Sequence, residues 1–116
     1  MKEKFESAIG HKTSLYKYGD DDIKSGIVAL IAGGGNDIEM LKEIVKEKVN
    51  VLITGVTIKN DYSKKAHEFA KQNNINLLGG THYSTEKFAC IAMCEYFKKL
   101  GLPSEFIKDK PMMEDL

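Results

Sequence analysis

Three apolar runs, each closed by glycine, constrain the fold of this chain more than any other feature. Gly26-Ile27-Val28-Ala29-Leu30-Ile31-Ala32 ends at Gly33-Gly34-Gly35, Val49 to Thr54 ends at Gly55, and Ile75 to Leu78 ends at Gly79-Gly80. Runs that are apolar without alternation read as strands buried on both faces, as in a parallel sheet. Helical periodicity fills the intervals. Ile38, Leu41, Ile44 and Val45 make one apolar stripe, and Tyr62, Ala66, Phe69 and Ala70 make a second on a helix from about Asp61 to Gln72. Asn36 stands where it can cap the first of these helices, with Glu39 completing a capping-box-like pair. A long helix from about Ser84 to Leu100 carries Ala89, Ala92, Met93, Tyr96, Phe97 and Leu100, and Gly101 and Pro103 stop it.

Strand and helix alternating in this way give an α/β fold. The expectation is a mostly parallel sheet of about four to five strands with helices on its faces, joined by right-handed crossovers. A helix over Lys2 to Ala8 and a strand over Thr13 to Tyr18 open the chain, and that strand can run antiparallel at an edge. Gly19-Asp20-Asp21-Asp22 reads as a solvated turn, and Ser104 to Ile107 as a short closing strand. At 116 residues the chain is expected to form one domain, 1–116.

Charge narrows the partners. Seventeen basic and seventeen acidic residues cancel, which argues against nucleic acid or an anionic membrane, because both demand a basic surface. The charged start Met1-Lys2-Glu3-Lys4-Phe5 leads into no signal-length apolar core, so a cytoplasmic location is expected. Cys90 and Cys94 lie four apart on one helix and read as buried, small apolar side chains.

In an open parallel sheet, ligands bind beyond the carboxyl ends of the strands. Gly33, Gly34 and Gly35, then Thr54 and Gly55, then Gly79 to His82 all fall at that edge. The triple glycine before a helix could cradle a phosphate, but neither nucleotide fingerprint is present and a structural turn also accounts for it. Gly33, Gly34, Gly35, Thr54 and Gly55 are therefore candidates for the floor of a phosphate or substrate site. His82 and Glu86, four apart at a helix start, point the same way and can grip one metal ion; a surface hydrogen bond is the plainer alternative. His11 has no such company, and His67 reads as a solvated flank residue. Ser84 and Thr85 are accounted for by helix capping, and no catalytic residue is picked out.

At Gly80-Thr81-His82-Tyr83-Ser84-Thr85-Glu86 the sequence resembles the Gly-His-Tyr-Ala-Thr-Glu motif of the Nif-three-like family, dinuclear metal proteins also known as GTP cyclohydrolase 1 type 2 homologues. Ile31-Ala32-Gly33-Gly34-Gly35-Asn36-Asp37, Val51-Leu52-Ile53-Thr54-Gly55 and Glu105-Phe106-Ile107 resemble further family segments in the same order, from about residue 26 to 116. The resemblance implies the second lobe of a two-lobed fold, with His82 and Glu86 as its metal ligands. The family's first lobe supplies further histidines through a His-His motif, which this chain lacks. Thr81 has no counterpart in the family motif. Val56 stands where the family carries an acidic residue, and Asn60 and Asp61 stand near the place of a further histidine. The resemblance also implies a divalent transition metal (Zn, Mn, Fe, Co or Ni), one or two ions, in a hydrolase-type centre of open substrate. That centre is to be completed by a missing N-terminal lobe or by other copies in a homo-oligomer. A non-catalytic assembly module is the alternative, and a small phosphate- or nucleotide-binding domain the second.

Overall fold

A computed structural model describes residues 1–116. Helix α1 (Lys2–Ile9) is followed by β1 (Ser14–Tyr16), β2 (Ala29–Ile31), α2 (Ile38–Lys46), β3 (Val51–Thr54), α3 (Lys64–Gln72), β4 (Asn76–Gly79) and α4 (His82–Lys99), and a 3-10 turn, Met113–Asp115, ends the order. The sheet has four strands in the order β1-β4-β3-β2. β2, β3 and β4 are parallel, with Ala29 opposite Leu52 and Leu52 opposite Leu77, while β1 runs antiparallel to β4 with Leu15 opposite Leu78.

The chain steps from β2 to β3 to β4 through adjacent strands in one direction. Crossovers of a single hand then place both helices on one side, and α2 and α3 pack together there. Leu52 and Leu77 project into this layer and meet Leu41 and Ile44 of α2 and Ala66 and Ala70 of α3, with Val49 and Ile75 completing the core. The opposite face is only partly covered, by Phe5 of α1 and Thr85, Phe88 and Ala89 of α4, around a hollow shared with Leu30 and Ile53.

The structure departs from several of the sequence expectations. β2 covers Ala29–Ile31 only, and it is an edge strand, not one buried on both faces: Leu30 is 68% exposed and Ile27 61%. Asp37, not Asn36, caps α2, its carboxylate accepting the Met40 N–H at 3.0 Å. Tyr62 lies ahead of α3 and is 98% exposed, so it takes no part in the core. No strand forms at Ser104 to Ile107, and Ile107 is 86% exposed with no strand to pair with. Along α4 only Ser84 is buried, and Cys90 is exposed. Met93, Tyr96, Phe97 and Leu100 of the expected stripe therefore face outward, and Phe88 and Ile91 on other faces of α4 are exposed as well.

Polar pins hold the loops. The Asn76 side chain accepts the Tyr18 and Gly19 N–H groups and donates to the Asp20 carbonyl, and Asn50 donates to the Asp22 carbonyl. The acidic turn is thus solvated at its carboxylates but fixed at its backbone. No helix is long and apolar enough to cross a membrane.

Candidate metal centre

The parallel strands end together, and the three loops that leave them are bonded to one another. The Gly33 carbonyl accepts the Gly55 and Val56 N–H groups, each at 2.9 Å, and the Thr54 hydroxyl at 3.2 Å. Gly35 N–H donates to Thr54 Oγ1 at 3.0 Å, and Gly33 N–H to Thr85 Oγ1 at 2.9 Å. Two of the three amides that could have cradled a phosphate are therefore committed within the protein. This favours a packed structural turn at Gly33 to Gly35 over an anion cradle.

That turn lies directly beneath His82 and Glu86. Gly33 has φ +70, in the left-handed region that favours glycine. A Cβ on Gly33 would come within 2.5 Å of Glu86 Oε1 and 2.9 Å of His82 Nε2. A Cβ on Gly55 would meet the Gly33 carbonyl at 2.6 Å and the His82 Cα at 2.8 Å. The absence of side chains at these two positions lets the start of α4 settle onto the strand ends.

His82 Nε2 and Glu86 Oε1 stand 3.1 Å apart, with side chains 53% and 49% exposed. One imidazole nitrogen and one carboxylate oxygen, converging over a floor that a single methyl group would fill, suit a divalent transition metal. No third His, Cys, Asp or Glu gathers with them into a metal-holding group. The donors present thus fit part of a site and do not fill the coordination shell of an ion.

The strand-to-helix turn is strained. Thr81 is fully buried with φ 63 and ψ 148, a conformation that costs an ordinary residue about 1–3 kcal/mol. Its Oγ1 caps α4 by accepting the Ser84 N–H, and its carbonyl accepts from Thr85. Thr81, not Ser84 or Thr85, is the cap. Ser84 instead meets His11, whose Nε2 lies 2.7 Å from Ser84 Oγ while Nδ1 faces the Lys12 carbonyl at 2.7 Å. A carbonyl only accepts, so Nδ1 carries the proton and Nε2 accepts from Ser84. His11 therefore has company, and Ser84, 1% exposed, is closed to substrate.

His67 is not a solvated flank residue, since it is 1% exposed. Its Nε2 faces the Thr57 carbonyl at 3.0 Å, and its Nδ1 faces the Tyr18 hydroxyl at 2.8 Å. Nε2 is thus the protonated nitrogen. Burial lowers the His67 pKa, and burial likewise raises that of Tyr18. Asn36 turns its amide toward this ring and does not cap the helix. Asn60, near the place of the family's further histidine, caps the turn before α3 by accepting the Tyr62 and Ser63 N–H groups. Sequence reasoning missed Asp115, whose carboxylate accepts the His82 N–H at 2.8 Å, because no motif or spacing marks it.

These features define an α/β lobe whose polar residues gather at the carboxyl edge of a mostly parallel sheet. The sequence model of the Duf34/NIF3 (NGG1p interacting factor 3) family matches residues 1–111, and the chain belongs to that family. Among solved structures it is similar to reduced HcgD from Methanocaldococcus jannaschii, at 23% identity and TM-score 0.67, over 87% of this chain and 38% of that one. It is similar to protein ybgI, described as of unknown function, at 20% identity and TM-score 0.75, over 96% of this chain and 42% of that one. A Bacillus cereus protein related to NIF3 matches at 15% identity and TM-score 0.58, over 93% of this chain and 30% of that one. At such identities these likenesses speak for the fold. The chain spans roughly two fifths or less of each of these structures. A search of curated proteins returned no match.

Proposed function

We propose that this chain contributes His82 and Glu86 to a divalent transition-metal centre whose remaining ligands come from outside it. The observation that carries this reading is the His82 Nε2 to Glu86 Oε1 approach of 3.1 Å above Gly33, where a Cβ would displace both side chains. The family membership supports it. A bound divalent ion supplies acidified water and charge stabilisation for hydrolysis. The chain's own part is to hold the two donors at a fixed helical spacing, with Thr85 joining their helix to the glycine turn. Zn, Mn, Fe, Co and Ni all suit the pair, in a centre of one or two ions, and the substrate is open. The two donors lie within a single domain, residues 1–116.

The remaining ligands are supplied by another lobe or by further copies of this chain. The outward apolar stripe of α4 favours such a partner, because Phe88, Ile91, Met93 and Tyr96 are each 41% exposed or more. The same stripe supports a second reading, in which the chain is a non-catalytic assembly module. Cobalt(II) loading of the purified chain, followed by absorption, separates the two. Loading abolished by His82→Ala supports a metal centre that copies of this chain complete, whereas a chain that self-associates and takes no cobalt excludes completion by copies and favours assembly.

A further inference from the structure

The C-terminal segment returns to the candidate site and bonds to two of its loops. The Asp115 backbone carbonyl accepts the Thr57 and Ile58 N–H groups at 2.7 and 2.8 Å, in the loop that leaves β3. Its side-chain Oδ2 accepts the His82 N–H at 2.8 Å, at the first residue of α4. The segment leading there is held as well: Phe106 stacks on Tyr83 at 6.4 Å, and the Tyr83 hydroxyl accepts the Asp109 N–H at 3.1 Å. One residue thus ties the β3–α3 loop to the start of the helix that carries His82 and Glu86.

We infer that residues 113–115 form a strap that positions His82, with Asp115 as the positioning residue; this rests on the reading of His82 and Glu86 as metal ligands. The first N–H groups of a helix have no partner within it. The Thr81 side chain serves Ser84, which leaves the His82 N–H to Asp115. The need for a partner is acute, because Thr81 holds φ 63, and strain of this kind persists only where the surroundings over-determine the backbone. The His82 side chain is 53% exposed, so packing does little to fix it. Its placement over Gly33 depends on where the backbone puts its Cα. Asp115 and the buried Thr81 fix the peptide before that Cα, and the Thr85 hydroxyl, 3.0 Å from the His82 carbonyl, meets the peptide after it.

The test uses the whole chain and two readouts, amide exchange of His82 without metal and cobalt(II) affinity. Asp115→Ala is expected to speed His82 exchange and weaken cobalt binding, each by about fivefold, the scale of one charge-assisted hydrogen bond at a partly exposed position. The Thr57 and Ile58 amides, bonded to the backbone of residue 115, stay protected and report that the fold is intact. Asp115→Asn keeps an accepting oxygen and is expected to stay within about twofold of the parent on both readouts. His82 exchange unchanged in Asp115→Ala overturns the strap. Faster exchange with cobalt affinity unmoved overturns the positioning role. A parent chain that takes no cobalt, yet whose His82 exchange responds, supports the strap and overturns completion of the metal site by copies of this chain.

Discussion

Thr85 Oγ1 accepts the Gly33 N–H at 2.9 Å and lies 3.0 Å from both the Thr81 and His82 carbonyls, to one of which it donates. This hydroxyl joins the glycine turn after β2 to the first turn of α4. Thr85→Val keeps the shape and leaves the Gly33 N–H without a partner, which costs about 1–3 kcal/mol. Urea unfolding should show that loss, with Thr85→Ser close to the parent.

A side chain at Gly33 would press on the pair above it. Gly33→Ala meets both a left-handed backbone and the Glu86 and His82 side chains. It is expected to cost about 1–3 kcal/mol and to weaken metal binding. A Cβ on Gly34 meets nothing within 4 Å, so Gly34→Ala should fall within about 0.5 kcal/mol of the parent. Equal effects at the two glycines, measured by thermal melts, would count against the packed floor.

Acid should destabilise the protein in two steps. Burial holds His67 below its ordinary value of 6.5, so the unfolded chain binds a proton first as pH falls. The contribution of His67 is complete above 6.5 and shrinks as pH drops below it. Glu6 accepts the Thr13 N–H and pairs with Lys12, which lowers its pKa from 4.5 to about 2. Its contribution is complete above 4.5 and is lost as pH falls through about 2. Stability measured against pH should lose its upper step in His67→Gln and its lower step in Glu6→Gln.

The exposed stripe of α4 predicts self-association of the isolated chain. Ile91→Glu with Tyr96→Glu should shift sedimentation toward monomer. Both side chains are exposed in this chain, at 41% and 57%, so the melting temperature of the monomer should hardly change. A parent that is monomeric at every concentration would count against this surface.

Much of this architecture was legible in the sequence, for physical reasons. The apolar runs ending at Gly33, Gly55 and Gly79-Gly80 gave the parallel strands and the edge where their loops meet. The i, i+4 spacing of His82 and Glu86 gave a pair whose side chains do converge. What the sequence hid depends on contacts made at long range. His67 reads as a flank residue because its burial comes from Tyr16 and Tyr18, on the far side of two strands and a helix in chain order. The stripes on β2 and α4 read as core because apolar periodicity does not reveal whether the covering surface belongs to the same chain. Asn36 reads as a cap, but Asp37 takes that role and frees Asn36 to face His67. Nothing local marks Asp115, because its partners lie at Thr57, Ile58 and His82.

The most direct test of the central claim follows the three histidines as zinc(II) is added, by the imidazole nitrogen resonances of His11, His67 and His82. His82 Nε2 alone is expected to shift, to saturation, with Glu86→Ala weakening the response by about tenfold or more, while His11 and His67, each bonded at both ring nitrogens, stay still. A His82 resonance that zinc leaves unmoved, or a response confined to His11 or His67, would contradict that claim.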